Sequence, residues 1–349
     1  MTNSSRQEKT IVSNVNTPAV SVALCTYNGE RFLQEQLDSI AMQTRLPDEV
    51  VVGDDNSTDS TVEIIERWSK NVSFPVHIFK NSQNLGFAQN FSQTMLRCTG
   101  DIIFPCDQDD VWKPEKVEIM SRFLIDNPSC CMVFSGRSLI DSDGAPLPEQ
   151  WEEHYSRSYP LDTSVYYVEY SKDHPQKAGC MMAVRQTLVK NAFPVPAPWP
   201  HDVWLFSMAP LYGEIQTIPD VLLYFRRHGN NASALGKDAD WANGRDVYYL
   251  TSVGQYRAHT PLREDMIKRL SQLPPSPYRD GYLKYLKGQD KHFGNRCKIE
   301  DHFWTNLHTL VLEVLSGRYF QHKQPFKCML FDVKEGILNS FKRSPSEEE

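Results

Sequence analysis

The sequence predicts an α/β fold: a doubly wound, mixed sheet with flanking helices and a helical C-terminal extension. Three observations lead there. From about Pro18, short apolar runs alternate with amphipathic stretches of helical length; each apolar run ends in a polar or acidic cluster; and from about Asp238 the strand pattern gives way to helical periodicity. Strands that alternate with helices build sheets covered on both faces. Ligands of such sheets bind beyond the carboxyl ends of the strands.

Residues 1–17, MTNSSRQEKTIVSNVNT, are polar and aperiodic and read as a mobile leader. AVSVALCTYN is a continuous apolar run closed by polar residues, as a doubly buried strand requires, and ERFLQEQLDSIAMQT follows with apolar positions 32, 33, 37, 40 and 41 at helical spacing. DEVVVGDDNSTDS repeats the strand, and TVEIIERWSK the helix, with N-cap candidates Ser57, Thr58 and Asp59. VHIFKN, NFSQTMLRCT and GDIIFPCD carry the alternation to the stretch FPCDQDDVW. Beyond residue 115 it loosens into CCMVFSGRSLIDSDG, a Tyr-rich polar segment to about 175, GCMMAV and the Pro-rich FPVPAPWPHDVW, which predict that antiparallel or mixed strands complete the sheet. LHTLVLEVLSG is the clearest late helix, with Gly317 a plausible stop. These boundaries give a leader over 1–17, a domain over 18–237 and a helical region over 238–349, without internal repeats.

With 349 residues, 40% of them hydrophobic, the chain can bury a substantial core. A net charge of -7 leaves no basic footprint for nucleic acid, so a bound nucleotide is expected to be small. The eight cysteines form no C-x-x-C pair and several lie in apolar runs, which points to reduced thiols and a cytoplasmic address. No signal-peptide pattern is visible, and no apolar run nears the roughly 18 to 20 residues that span a bilayer. The sequons at Asn71 and Asn231 then read as chance matches.

Asp107, Asp109 and Asp110 place three carboxylates within four positions, behind an apolar strand and ahead of Trp112. Such repulsion requires a cation or strong donors. An EF-hand is rejected, because Trp112 occupies the sixth loop position, where glycine is needed. Tyr27 and Asn28 follow the first strand, Asp54 and Asp55 the second, Asn81 and Asn84 the third. All converge on one crevice. The competing reading of each cluster is local: an acidic turn capping a helix, or an Asx-turn in DDNSTD.

Taken in order, VSVALCTYNGERFLQEQLDSIAMQT, VVVGDDNSTDST, NSQNLGFAQNF, CDQDDVW, HDVWL and YFRRHGNN resemble the inverting family 2 glycosyltransferases of GT-A fold over residues 18–235. The resemblance implies a nucleotide-diphosphate sugar donor, a saccharide or lipid-linked acceptor and Mn²⁺ or Mg²⁺, oxygen-seeking ions that neutralise a diphosphate leaving group. DQDD matches the D-x-D signature, so Asp109 is expected to bind metal and Asp107 to support the metal or the ribose; Asp55 inherits the base contact. Thr26, Tyr27, Asn28, Asp54, Asn84 and Gln108 would line the nucleotide-sugar crevice. Asp202 matches the position of the general base, flanked by Trp199, His201 and Trp204 as acceptor contacts; the competing reading has His201 and Asp202 merely start a helix. Arg226 would clamp the diphosphate, and neutral His228 would add a nitrogen ligand to the metal. The R-x-H-G-N form resembles bacterial rhamnosyltransferase-like members, which build surface polysaccharide. Two rivals remain. A sugar-1-phosphate nucleotidyltransferase would need a glycine-rich basic loop that CTYNGERF lacks, and an inactive sugar-nucleotide-binding module would not need Asp109 and Asp202. Residues 315–343, basic with interleaved aromatic and aliphatic side chains, offer peripheral contact with an anionic membrane; the alternative is a helical cap.

Overall fold

The computed structural model describes residues 17–147, 179–197, 199–229, 264–302, 304–316, 329–330, 332–334 and 337–338. The leader up to residue 16, the Tyr-rich segment 148–178, the Asn231 sequon, Gly317 and most of 315–343 lie outside these residues.

Strand β1 (Val20–Thr26) leads through helix α1 (Leu33–Ala41) to β2 (Glu49–Asp54), then through α2 (Thr61–Ser69) to β3 (Val76–Lys80) and through α3 (Phe87–Arg97) to β4 (Ile102–Cys106). β1, β2 and β4 are buried along their whole length, which is why each reads as an unbroken apolar run. β3 is the partly exposed edge. The N-terminus of α2 is held by Asp59, whose Oδ1 accepts a hydrogen bond from Thr61 N at 3.0 Å.

After a short β5 (Val111–Trp112) and α4 (Lys116–Asp126) come β6 (Cys130–Ile140), β7 (Met182–Arg185), α5 (Gln186–Ala192), α6 (His201–Met208) and β8 (Glu214–Arg226). The eight strands form one sheet in the order β3-β2-β1-β4-β7-β6-β8-β5. β3, β2, β1 and β4 are parallel, β7 is antiparallel to both neighbours, β6 and β8 are parallel, and β5 is antiparallel to β8. The expected mixed strands thus complete the sheet.

Among the described residues, α7 (residues 264–272), α8 (Pro277–Asp301) and α9 (Leu307–Leu315) follow, with short helical pieces beyond them. Met266 and Leu270 of α7, with Tyr282, Leu283 and Leu286 of α8, pack into the same core as the sheet. The far half of α8 makes a second, small cluster through Ile299 and Leu310. There Glu313 accepts from Asn295 Nδ2 (2.7 Å) and pairs with His292 Nδ1 (2.6 Å), while Arg296 forks onto Asp332 at 2.6 and 2.7 Å. Among the described residues, no helix is long and apolar enough to cross a membrane.

Candidate active site

The sheet register decides which residues meet at its rim. Thr26 pairs with Asp54 and Leu24 with Cys106, so the loops after β1, β2 and β4 leave the sheet at one level. β8 brings Arg226 to the same place, where its backbone N–H donates to Asp110 Oδ1 at 3.1 Å.

On the β1–β2 side the polar residues mostly organise loops. Asp54, fully buried, accepts hydrogen bonds from the Thr26 hydroxyl (3.0 Å), from Ser57 N (2.9 Å) and from the Ser57 hydroxyl. Asp55 accepts from Asn81 Nδ2 (2.9 Å) and Leu85 N (2.8 Å) on Oδ1, and from Gly86 N (2.9 Å) on Oδ2. A carboxylate has about four acceptor positions, so one stays open on Oδ2. Asn84 Oδ1 also accepts from Gly86 N, at 3.0 Å. Asn28, in the left-handed region at φ 47°, accepts on Oδ1 from Thr58 N at 2.9 Å. Gln108 is spent on the β1 loop: its Oε1 accepts from Tyr27 N (2.8 Å) and its Nε2 donates to Tyr27 O (3.0 Å). This clamp leaves no room at Gly29, where a Cβ would stand 2.2 Å from Gln108 Oε1. The Tyr27 ring itself remains 48% exposed.

The acidic triplet splits in two. Asp107 and Asp110 gather with Cys180, their ligand-capable atoms all within 4.8 Å of one another. Asp109 turns away, its Oδ2 facing His228 Nε2 at 2.9 Å, and the imidazole packs against Phe32 at 4.7 Å. Burial lifts the Asp107 carboxyl well above the usual carboxylate range, and the charges of Asp110, Asp109 and Asp202 add to it. Burial likewise raises Asp110 to about 7, with Asp109 adding. Below them lies the fully buried Lys116, which donates to the Cys180 carbonyl and sits 4.7 Å above the Trp112 ring; burial lowers it to about 8. Asp202, in the first turn of α6, accepts from Val203 N at 2.8 Å. Four carboxyls therefore crowd two buried cations, Lys116 and Arg226, and the raised pKa values of Asp107 and Asp110 reflect that crowding together with burial.

Asp109 and His228 bring a carboxylate oxygen and an imidazole nitrogen within 2.9 Å of each other, both partly open to solvent, near Asp107, whose charged form burial and its acidic neighbours disfavour. That donor set suits Mn²⁺ or Mg²⁺. The Asp107, Asp110 and Cys180 group suits such ions less well, since a buried thiol is a poor ligand for hard cations.

Four expected contacts stand elsewhere than the sequence suggested. Trp199 and Trp204 are 1% and 0% exposed and pack edge to face at 5.4 Å, with Trp204 Nε1 donating to Ala192 O at 2.8 Å. They are core, not sugar platforms. His201 is buried as well, stacked on Phe91 at 4.0 Å, and burial holds its pKa below the ordinary value, which keeps it neutral. Arg226 is no open diphosphate clamp: its side chain is 1% exposed and engages Asp109 O at 3.0 Å, Glu35 Oε2 and the face of Phe32 at 4.9 Å. In each case a long or aromatic side chain next to a site motif turned inward, which spacing alone does not reveal. The sequence reading missed Phe87 and Lys116. Phe87 is 49% exposed and lies 6.3 Å from the His201 ring, next to Asp202. Its signal was the Gly86–Phe87 pair, since a glycine at φ 80° turns the first residue of α3 outward.

This α/β sheet with an acidic rim is a GT-A-type fold. Residues 21–193, just under half of the chain, match the family described as Glycosyl transferase family 2. An uncharacterized glycosyltransferase of Nostoc sp. is 26% identical over 218 residues, 61% of this chain and 66% of that protein. TuaG of Bacillus subtilis, provisionally named a teichuronic acid biosynthesis glycosyltransferase, is 32% identical over 130 residues, 37% of this chain and 51% of its own. Among solved structures, residues 1–349 of S. aureus TarS in complex with UDP-GlcNAc give a TM-score of 0.57 at 16% identity, covering 93% of this chain and 91% of that one. The chain thus spans between half and two thirds of the length of these two curated relatives.

Proposed function

We propose that the protein is an inverting glycosyltransferase that moves a sugar from a nucleotide-diphosphate donor to a saccharide or lipid-linked acceptor in bacterial surface polysaccharide synthesis. The observation that carries this reading is the approach of Asp202 to the acidic rim: it arrives from α6, far along the chain, yet its charge acts on Asp107. Inversion by single displacement needs a base on the acceptor side of the crevice, opposite the leaving group. Asp202 takes that role, receiving the acceptor hydroxyl proton. The buried, neutral His201 shapes the helix start behind it, and Phe87 offers its exposed face to a sugar ring. Asp109, Asp107 and His228 would hold Mn²⁺ or Mg²⁺, which when bound neutralises charge developing on the diphosphate. Tyr27, Asn28, Asn84 and the open lone pair of Asp55 would receive the nucleoside; Thr26, Asp54, Gln108 and Arg226 keep those loops and the triplet in position. The proposed donor sugar is rhamnose, on the R-R-H-G-N form of residues 226–230 alone, and the proposed address is the cytoplasm.

The test is a panel of nucleotide sugars with Mn²⁺, measuring nucleotide release with and without oligosaccharide acceptors. Acceptor-stimulated release from one donor supports the reading. Turnover of sugar-1-phosphate with a nucleoside triphosphate instead would favour a nucleotidyltransferase, and binding without release from any donor an inactive binding module.

A further inference from the structure

The short turn Gly179–Met181 makes contacts on both sides of the crevice. Its three residues are buried and lead straight into β7, which lies between β4 and β6. On the side of the acidic triplet the turn is pinned at three atoms. The Cys180 carbonyl accepts from Lys116 Nζ, the Cys180 thiol gathers with the Asp107 and Asp110 carboxyls within 4.8 Å, and the Met181 carbonyl accepts from the Ser135 hydroxyl at 3.5 Å. A buried turn tied to a packed strand in this way has little room to shift.

One residue earlier the same turn meets α6. A Cβ built on Gly179 would stand 2.6 Å from His201 Nε2, 3.2 Å from His201 Cε1 and 3.7 Å from Asp202 Cβ. Gly179 does not lie in the left-handed region, so a glycine is needed here for space rather than for conformation. The His201 ring is held against it by shape: it is buried, stacked on Phe91 at 4.0 Å and edge-on to Phe87 at 6.3 Å. Neither ring nitrogen has a hydrogen-bond partner among the described residues. The start of α6 is therefore located by the packing of this ring between α3 and Gly179.

We infer that Gly179 is a positioning residue for Asp202: by letting the His201 ring close onto the turn, it sets where the start of α6 stands relative to the acidic triplet. The inference rests on the reading of Asp202 as the base. Adjacent residues of one turn thus touch both halves of the crevice, Cys180 the carboxyls of the rim and Gly179 the helix that carries the base. A side chain at 179 would need roughly 0.8 Å more room, from 2.6 Å to the 3.4 Å at which ordinary contact begins. The turn is pinned and Phe91 backs the ring, so the first turn of α6 is what yields, and Asp202 moves with it. A misplacement of about 1 Å at a reacting group can cost about 10²-fold in rate.

The test compares the full-length wild type with Gly179→Ala, His201→Ala and the double variant, using the donor and acceptor that the nucleotide-sugar panel identifies. Gly179→Ala should lower kcat for transfer by about 10- to 100-fold, while the acceptor KM and the affinity for the donor's nucleoside diphosphate with Mn²⁺ stay within about twofold. In the ligand-free protein the Val203 and Trp204 amides, which donate to Asp202 Oδ1 at 2.8 Å and Pro200 O at 3.0 Å, should exchange at least about tenfold faster, with Leu85 and Gly86 unchanged. Removing the ring removes the clash, so the double variant should transfer faster than Gly179→Ala, a reversal that two independent losses of stability do not produce. Wild-type kcat in Gly179→Ala, or a double variant slower than that single one, would overturn the inference. If Gly179→Ala does not fold, the double variant must melt cooperatively and transfer; its failure would overturn the inference too. A wild type that transfers from no donor would overturn the proposed reaction instead, and exchange at Val203 and Trp204 would still decide the positioning.

Discussion

Replacing Asp55 by alanine separates loop organisation from base contact, because the side chain is committed to three donors before any nucleotide arrives. It accepts from Asn81 Nδ2, Leu85 N and Gly86 N at 2.8 to 2.9 Å. A hydrogen bond to a charged group contributes about 1.5–3 kcal/mol, so three would total at most about 9. Leu85 and Gly86 are only half-buried, and water can replace much of what they lose. A local loss of about 2–4 kcal/mol is therefore expected, equivalent to roughly 30- to 1,000-fold faster exchange of the Leu85 and Gly86 amides. Amide hydrogen exchange of the ligand-free protein reads this directly. Asp55→Asn should fall between, since its oxygen can keep two donors while its NH₂ turns toward Gly86 N–H. Unchanged protection at Leu85 and Gly86 in Asp55→Ala would refute the reasoning and return Asp55 to a purely ligand-facing role.

Other outcomes follow from the same contacts. Gly29→Ala drives a Cβ against the far end of the half-exposed Gln108 side chain, which can swing aside, so it should cost no more than about 1 kcal/mol in thermal or denaturant unfolding while releasing the clamp on the Tyr27 loop. Trp204→Ala should cost about 3–5 kcal/mol of stability, as a core truncation does, whereas Phe87→Ala should leave the melting temperature unchanged and raise the acceptor KM. Glu49 titrates against two opposing influences, burial that raises its pKa and stronger hydrogen bonds from Ser21 and Thr99 that bring it below 4.5. A carboxyl depressed on folding stabilises above its unfolded pKa and loses that contribution as pH falls through the folded value. The melting-temperature gap between wild type and Glu49→Gln should thus be full at pH 6–7, above the unfolded value of 4.5, and close as pH falls through the lower folded value.

The parallel half of the sheet was legible because its strands are buried on both faces and so appear as unbroken apolar runs, as VSVALCT and EVVVGD do. β3 was legible from its place in the alternation. The insertion of β7 between β4 and β6 was not, since antiparallel pairing over a few residues leaves no periodic trace. In the site, carboxylates at strand ends were found because chain position determines where a short side chain stands. Long side chains escaped this logic: Arg226 folds back under the acidic triplet, and Lys116 reaches inward from the first turn of α4 to lie beneath it. Trp199 and Trp204 deceived for a related reason, since an aromatic beside a catalytic motif serves packing as readily as sugar binding.

The central claim is that Asp202 acts on the acceptor while the acidic rim holds the donor. Its most direct test is Asp202→Asn, with donor affinity measured by calorimetry in Mn²⁺ and transfer measured with the same donor and acceptor. Donor affinity should stay within about twofold of wild type, while transfer falls by at least about 10² to 10⁴, the usual contribution of a general base. Near-normal transfer by Asp202→Asn would contradict the claim and place the base elsewhere.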